Sequence, residues 1–176
     1  MKQINTYIIE KLKISINRKN VEHTLFPETK VELCEMINDE LSKNGNKCSL
    51  NHIDVSKITD MRNLFSNMKF NGDISEWDVS HVEDMSYMFY DSKFNRDISD
   101  WDVSNVKEMD FMFGRSEFNG DISNWDVSNV IDMKAMFFKS KFNGNITDWD
   151  VSNVTDMKNM FLYSPLENNP PKWYKK

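Results

Sequence analysis

The sequence predicts an α/β solenoid, with a parallel sheet on one face, short helices on the other and a helical cap at its N-terminal end. Three observations predict it. Trp77, Trp101, Trp125 and Trp149 are spaced by 24 residues, and Trp173 falls on the same grid. A fixed period of this length marks an array in which each unit contacts only its neighbours. Within each unit, one stretch has the apolar spacing of a short strand and the next that of a helix. The first 46 residues lie outside the repeat and carry their own helix signals. The expected division is therefore 1–46 as an N-terminal helical capping segment and 47–176 as five 24-residue repeats ending in a broken sixth strand.

The strand is expected at Ile74-x-x-Trp77-x-Val79-x-x-Val82. Spacing of i, i+3, i+5, i+8 is that of a leucine-rich repeat, so a leucine-rich-repeat-like solenoid is expected, its stacked strands about 4.8 Å apart. Val82, Met85, Met88 and Phe89 then recur at three- and four-residue steps, the inner face of about two helical turns. Asn105, Asn129 and Asn153 stand three residues before Glu108, Asp132 and Asp156, as N-caps with an acid in the first turn would. Phe118-Asn119-Gly120-Asp121 is turn chemistry, in which Asn and Gly tolerate positive φ.

The array opens at Leu50, and further units open at Ile74, Ile98, Ile122 and Ile146. Pro170-Pro171-Lys172-Trp173 reads as a stop, because prolines cannot donate to another ladder strand. Upstream, Thr29 and Glu32 form a capping pair before a helix whose apolar positions are Val31, Leu33, Ile37 and Leu41, and Asn44-Gly45 ends it. A shorter apolar stretch runs from Tyr7-Ile8-Ile9 to Leu12 and Ile14. Solenoid ends expose a raw core, and an amphipathic helix before the first repeat suits the role of a cover.

Composition narrows the functional classes. The full chain carries a net charge of −6, with +1 over residues 1–48 and −7 over the remainder. An acidic array repels phosphate backbones, so no nucleic-acid partner is expected. No run of 18 apolar residues occurs, so no membrane span is expected, and no signal peptide is visible. Cys34 and Cys48 make neither a disulfide framework nor a four-ligand zinc site. A reduced, cytoplasmic setting follows; a surface or virion location stays open.

The consensus Trp-Asp-Val-Ser-Asn-Val-x-Asp-Met-x-x-Met-Phe, followed by Phe-Asn-Gly-Asp-Ile-Ser, resembles the BspA-like leucine-rich repeats of bacterial surface proteins and of mycoplasma lipoproteins of undefined function. The resemblance covers roughly residues 50–164. It implies a leucine-rich-repeat-like solenoid and a role in adhesion or protein contact, and it brings no catalytic residues. That family is often secreted or surface-anchored, whereas this chain shows no export signal and no anchor. The segment from Tyr7 to the Pro27 helix resembles short repeat proteins of gut bacteria and their phages.

No metal, cofactor or catalytic residue is expected. The methionine columns, Met61 to Met157 and Met88 to Met160, lie beside Phe65, Phe89, Phe113, Phe137 and Phe161 and read as core filler. The tryptophans share a face with Val79 and its equivalents, so they pack inward and are no sugar platform. His23, His52 and His81 stand in unrelated contexts, and there is no His-Glu-x-x-His, no Gly-x-Ser-x-Gly and no phosphate loop. The calcium string Gly-Gly-x-Gly-x-Asp is absent as well.

Two candidate binding surfaces remain. Asp54, Asp78, Asp102, Asp126 and Asp150 lie between inward residues and point outward, with Glu76, Asp100 and Asp148 two residues earlier on the same face. Eight carboxylates would then line a concave sheet face and either recruit a basic protein or bond locally to serines and amides. The second surface comes from columns that vary: Asn63, Tyr87, Phe111, Ala135, Asn159 and Ser66, Tyr90, Gly114, Phe138, Leu162. Tyr87, Tyr90, Phe111, Phe138 and Tyr163 form a candidate aromatic patch near Arg115, Lys134 and Lys139, or they only pack between units. The expected function is a non-enzymatic scaffold for protein–protein contact, chiefly through the acidic face; the alternative is an adhesin or a carbohydrate-binding module.

Overall fold

A computed structural model describes residues 21–175. The apolar stretch Tyr7–Ile14 lies outside the described residues. Helix α1 spans Lys30–Asn44. Thr29 accepts from the amide of Glu32, and Glu32 returns a bond to the Thr29 amide, so a full capping box starts it. Gly45, at φ 78°, ends it with its amide bonded to the Leu41 carbonyl. Leu33 and Ile37 are fully buried, whereas Val31 is 67% exposed and stands off the apolar face assigned to it. The helix packs on the first unit: Leu25 bridges Ile53 in parallel, Lys30 Nζ lies 3.0 Å from Asp60, and His52 lies 3.5 Å from Glu40.

The expected sheet is absent. Among the described residues, pairing between units is limited to isolated parallel bridges along Asp60, Asp84, Glu108, Asp132 and Asp156. The repeats contain no helix either; among the described residues the helical elements are α1 and one 3-10 turn, Pro165–Glu167. The array is a stack of turn-rich coils, and the leucine-rich-repeat-like α/β solenoid is overturned.

Backbone hydrogen bonds explain both corrections. In the unit from Ile74, the would-be strand closes into turns, with the Trp77 amide on the Ile74 carbonyl at 3.2 Å and the Val82 amide on the Val79 carbonyl at 2.9 Å. The would-be helix sends every second amide into the next unit: Met85 to Glu108, Tyr87 to Asp110, Phe89 to Met112 and Asp91 to Gly114, at 2.8–2.9 Å. Amides spent on a neighbour cannot close i→i−4 bonds. Tyr87 and Asp91 also adopt left-handed φ of 57° and 51°, which a right-handed helix excludes. The same two columns are left-handed in every unit, at Asn63 and Asn67, Phe111 and Arg115, Ala135 and Lys139, Asn159 and Tyr163.

Burial nevertheless follows the repeat. Val82, Met85, Met88 and Phe89 are fully enclosed, and so are their counterparts through the middle units. Phe65, Phe89, Phe113, Phe137 and Phe161 stack at 5.6–5.9 Å with near-parallel rings. A second column, Phe70, Phe94, Phe118 and Phe142, stacks at 6.1–6.3 Å beside it. Trp77, Trp101, Trp125 and Trp149 are buried against this core, inclined by 29–33° to its rings, and donate their indole N–H one unit back, Trp77 to the Leu50 carbonyl and Trp125 to that of Ile98, at 2.9 and 3.1 Å. Trp173 does the same to Ile146 and stacks on Trp149, so the Pro-Pro-Trp segment covers the last unit with a ring instead of a blunted strand.

Two smaller assignments also change. Asn105, Asn129 and Asn153 cap no helix; each side-chain amide donates to a carbonyl of the preceding unit, on Ser80, Ser104 and Ser128. Gly72, Gly120 and Gly144 do not adopt positive φ. A Cβ there would strike a phenylalanine ring at 2.6–2.9 Å, and at Gly72 also the Cys48 carbonyl, so space selects glycine.

Replacing Trp125 by Ala is expected to cost about 3–5 kcal/mol, the range for large-to-small core changes. Asp126→Ala should cost about 0.5–1.5 kcal/mol, the worth of the bonds it gives Ser128. Chemical denaturation of both variants checks the facing of this segment, which equal costs would refute. Starting the chain at Lys47 uncovers the side of the first unit that Leu33 and Ile37 bury. Aggregation or loss of cooperative melting is expected by sedimentation and circular dichroism; a monomer with unchanged melting would show that α1 is dispensable to the stack.

Candidate interaction surface

The aspartate column between the inward tryptophan and valine is a set of turn closures. Oδ1 of Asp78 accepts from the Ser80 amide at 3.2 Å and from its hydroxyl at 2.7 Å, and Asp102 and Asp126 treat Ser104 and Ser128 in the same way. Asp54 and Asp150 accept the amides of Ser56 and Ser152 at 3.0 Å. These are Asx turns, which hold the chain where a strand was expected. The serine hydroxyl and amide keep the Asp150 carboxyl below the usual carboxylate range. Burial would raise Asp54, but the Ser56 bonds and His23 outweigh it and hold it low. Glu76 is half-buried, and Asp100 and Asp148 are exposed. With no sheet present, these eight acids do not line a concave sheet face.

The structure brings the second group together. Tyr87 stacks on Phe111 at 4.8 Å, and Tyr90 meets both rings at 5.6 and 6.1 Å. Phe111 meets Phe138 edge-on at 6.4 Å, and Phe138 meets Tyr163 at 6.0 Å. The five rings form one stripe that crosses four units. They are only half-buried, and Tyr163 is 64% exposed. The variable columns fit one another: Gly114 stands in the Tyr90 column, where a Cβ would sit 3.0 Å from the Tyr90 ring. Lys139 Nζ lies 5.3 Å from the Phe138 ring centre and 5.2 Å from that of Tyr163.

Tyr87, Phe111 and Tyr163 occupy left-handed backbone, at φ 57°, 53° and 61°. That conformation costs a non-glycine residue about 1–2 kcal/mol and suits Asn best, the residue that Asn63 and Asn159 supply at the ends of the first column. Bulky rings are therefore held where the backbone favours a small polar residue.

A second acid column, at the bridges, flanks the stripe. Its N-terminal end is neutralised: Asp60 takes Lys30 at 3.0 Å and Arg62 at 2.7 Å, and Arg62 also reaches Asp84 at 3.4 Å. Burial would raise the Asp60 carboxyl, but these cations and the Arg62 amide hold it far below the ordinary range. Further along, no lysine or arginine among the described residues forms an ion pair with Glu108, Asp110 or Asp132. Burial, then Asp132, Asp84 and Asp110, push the Glu108 carboxyl up. Burial, then Asp110 and Asp156, push Asp132 up against the Lys134 amide. Burial first, and then Asp110, raise the Tyr87 phenol. Sequence reasoning misses this column because three of its members read as helix first-turn acids.

The remaining features carry structure. An open groove of about 580 Å³ is lined by Asn105, Asn129 and Asn153, whose amides are committed to the preceding unit. Among the described residues no cluster of three or more His, Cys, Asp or Glu could hold a metal, and no helix is long and apolar enough to cross a membrane. Cys34 and Cys48 are free thiols.

A family model described as "Mycoplasma protein of unknown function, DUF285" matches residues 32–139 and again 114–175, and the chain belongs to that family. No curated protein and no solved structure matches it.

The raised carboxyls make a pH prediction. Folding lifts Glu108 and Asp132, so the folded chain holds their protons more tightly than the unfolded chain. The stability from this is complete below the ordinary carboxylate range and is lost as pH rises through the folded values. Glu108→Gln with Asp132→Asn should therefore stabilise the protein at neutral pH by up to about 1 kcal/mol after solvent screening, and the gain should vanish near about pH 3. Melting curves of both proteins at the two pH values check it; a gain that persisted in acid would show that charge is not its origin.

Proposed function

We propose that the protein is a non-enzymatic scaffold for protein–protein contact, and that its contact surface is the aromatic stripe from Tyr87 to Tyr163. The observation that carries this reading is the stripe itself: rings from columns that vary between units form one continuous, half-exposed surface, three of them on strained backbone. The left-handed backbone recurs in every unit, but a bulky ring there, where Asn63 and Asn159 show the less costly choice, supports a use beyond packing. Aromatic residues are what the centres of protein interfaces favour. The inward columns repeat with little change and account for stability alone. The aspartates from Asp54 to Asp150 have a structural task in their turns, which weakens them as the contact face. Membership of the DUF285 family agrees with a repeat scaffold. The resemblance to BspA-like repeats adds adhesion or protein contact as the kind of role. Residues before 47 serve as the cap of the stack.

The test is affinity capture from the source organism with three proteins compared side by side. Tyr87→Asn, Phe111→Asn and Tyr163→Asn combined should leave the fold intact, because Asn suits left-handed backbone, and should lose the partner that the parent retains. Asp78→Asn, Asp102→Asn and Asp126→Asn combined keep an oxygen for each Asx turn and should retain it. The reverse pattern would return the contact surface to the aspartate column.

A further inference from the structure

The stripe has unlike ends. At Phe138 and Tyr163 the protein supplies its own cation, since the Lys139 ammonium lies just over 5 Å from both ring centres. At Tyr87, Tyr90 and Phe111 no described lysine or arginine lies over the rings, and the backbone sets acids in the same register. The Tyr87 amide is bonded to the Asp110 carbonyl at 2.9 Å, which sets Asp110 and the Phe111 that follows it directly alongside Tyr87. Met85 and Met109 are bonded in the same way to Glu108 and Asp132, at 2.9 Å each, so the three acids run in step with the rings. Glu108 and Asp110 form no ion pair among the described residues, whereas Asp132 has Lys134 nearby, whose carbonyl takes the Phe111 amide at 2.9 Å; the array as a whole is acidic.

We propose that this end of the stripe receives an arginine side chain of a partner protein, with Tyr87, Tyr90 and Phe111 as its stacking faces and Glu108, Asp110 and Asp132 as its counter-charges. The inference rests on the stripe being the contact surface and names the chemistry of what binds there. A cation over aromatic faces is attracted by the ring quadrupole, and a carboxylate beside the ring adds a charge-assisted hydrogen bond. Arginine fits better than lysine because its planar guanidinium stacks on a ring while its edge still forks to a carboxylate. Lys139 at the far end makes the cation–ring part of this contact within the chain. The occupied end and the open end together set the polarity of the bound segment: its basic residue lies over Tyr87 and Phe111, and its neutral or acidic part runs toward Lys139.

The probes are a capped Gly-Arg-Gly-Arg-Gly peptide and counterparts with lysine or norleucine in place of arginine, titrated into the full chain with its aromatic rings isotope-labelled for NMR. The arginine peptide should shift the Tyr87, Tyr90 and Phe111 ring signals saturably. The lysine peptide should bind several-fold more weakly, and the norleucine peptide should leave these signals in place. Raising salt from about 50 to about 500 mM should weaken the arginine peptide roughly tenfold, as for charge contacts within a Debye length. Asp110→Asn should weaken it roughly fivefold with unchanged melting, and Phe111→Asn should do the same through the ring. Equal shifts with norleucine would overturn the arginine assignment while leaving the stripe an apolar contact surface. Shifts centred on Asp78 to Asp126 instead, or no saturable shift with arginine, would also overturn it, and partner capture by the stripe variants then judges the stripe separately.

Discussion

The inter-unit amide bond is the constraint on which the rest depends. From Met61 to Asn67, alternate amides donate to carbonyls 23 residues ahead, and the pattern repeats unit after unit. This fixes the register, and a register fixed at 24 residues turns every position into a column. Equivalent rings must then stack on one another, which is why Phe65 to Phe161 form one pile and each indole finds the carbonyl that opens the preceding unit, 27 residues back. The amides between those alternate positions are satisfied within the unit by i→i+3 turns, as Leu64 is by Met61. Closing successive turns while keeping the alternate amides aimed at the neighbour requires left-handed residues at regular intervals. The two left-handed columns are thus a consequence of the bonding scheme, whatever side chains stand there.

The aspartates belong to the same scheme. The columns of Asp73, Asp78 and Asp84 close turns by spending a side-chain oxygen on the amide two residues on, with Ser49 standing in for the acid in the first unit and Glu108 the one member that makes no such bond. A strand or helix would have satisfied those amides by itself. A coil of turns cannot, and short acceptors replace the missing ladder. The acidity of the array is therefore largely the chemical cost of folding without sheet or helix. At Asp132 that cost shows as a carboxyl pushed up by burial and by neighbouring charge.

Much of this was legible before any backbone was known, and the part that was not has a specific cause. The period and the inward columns depend only on which residues are apolar and how often they recur; Trp173 lies on that grid, but the prolines before it signal a blunted strand and not its covering ring. Helix α1 was readable because Thr29, Glu32 and Gly45 signal helix ends regardless of context. The strand at Ile74–Val82 and the helix at Val82–Phe89 were not real, because spacings of two, three and four residues also arise from consecutive turns. The signal that separates the cases was present in Asn63, Asn67, Asp91 and Asn159, residues that tolerate left-handed backbone and sit inside what looked like a helix face. Asp-x-Ser at each unit likewise reads as an Asx turn once a strand is no longer assumed. The aromatic stripe was visible as variation between columns; its acid flank was hidden by the same helical assumption.

The division between repeating and varying columns has a physical basis. A substitution in an inward column disturbs two interfaces at once, because each ring is packed between the units before and after it. A substitution in a left-handed outward column disturbs the backbone preference of one residue and the neighbours it touches on the surface. At that second kind of position, Asn is the choice that costs least, and the ends of the first column hold it at Asn63 and Asn159. Between them stand Tyr87 and Phe111, whose rings recover part of the strain by stacking at 4.8 Å and leave a face toward solvent. A stack built in this way can carry different chemistry on its surface in each unit without altering the bonds that hold the units in register.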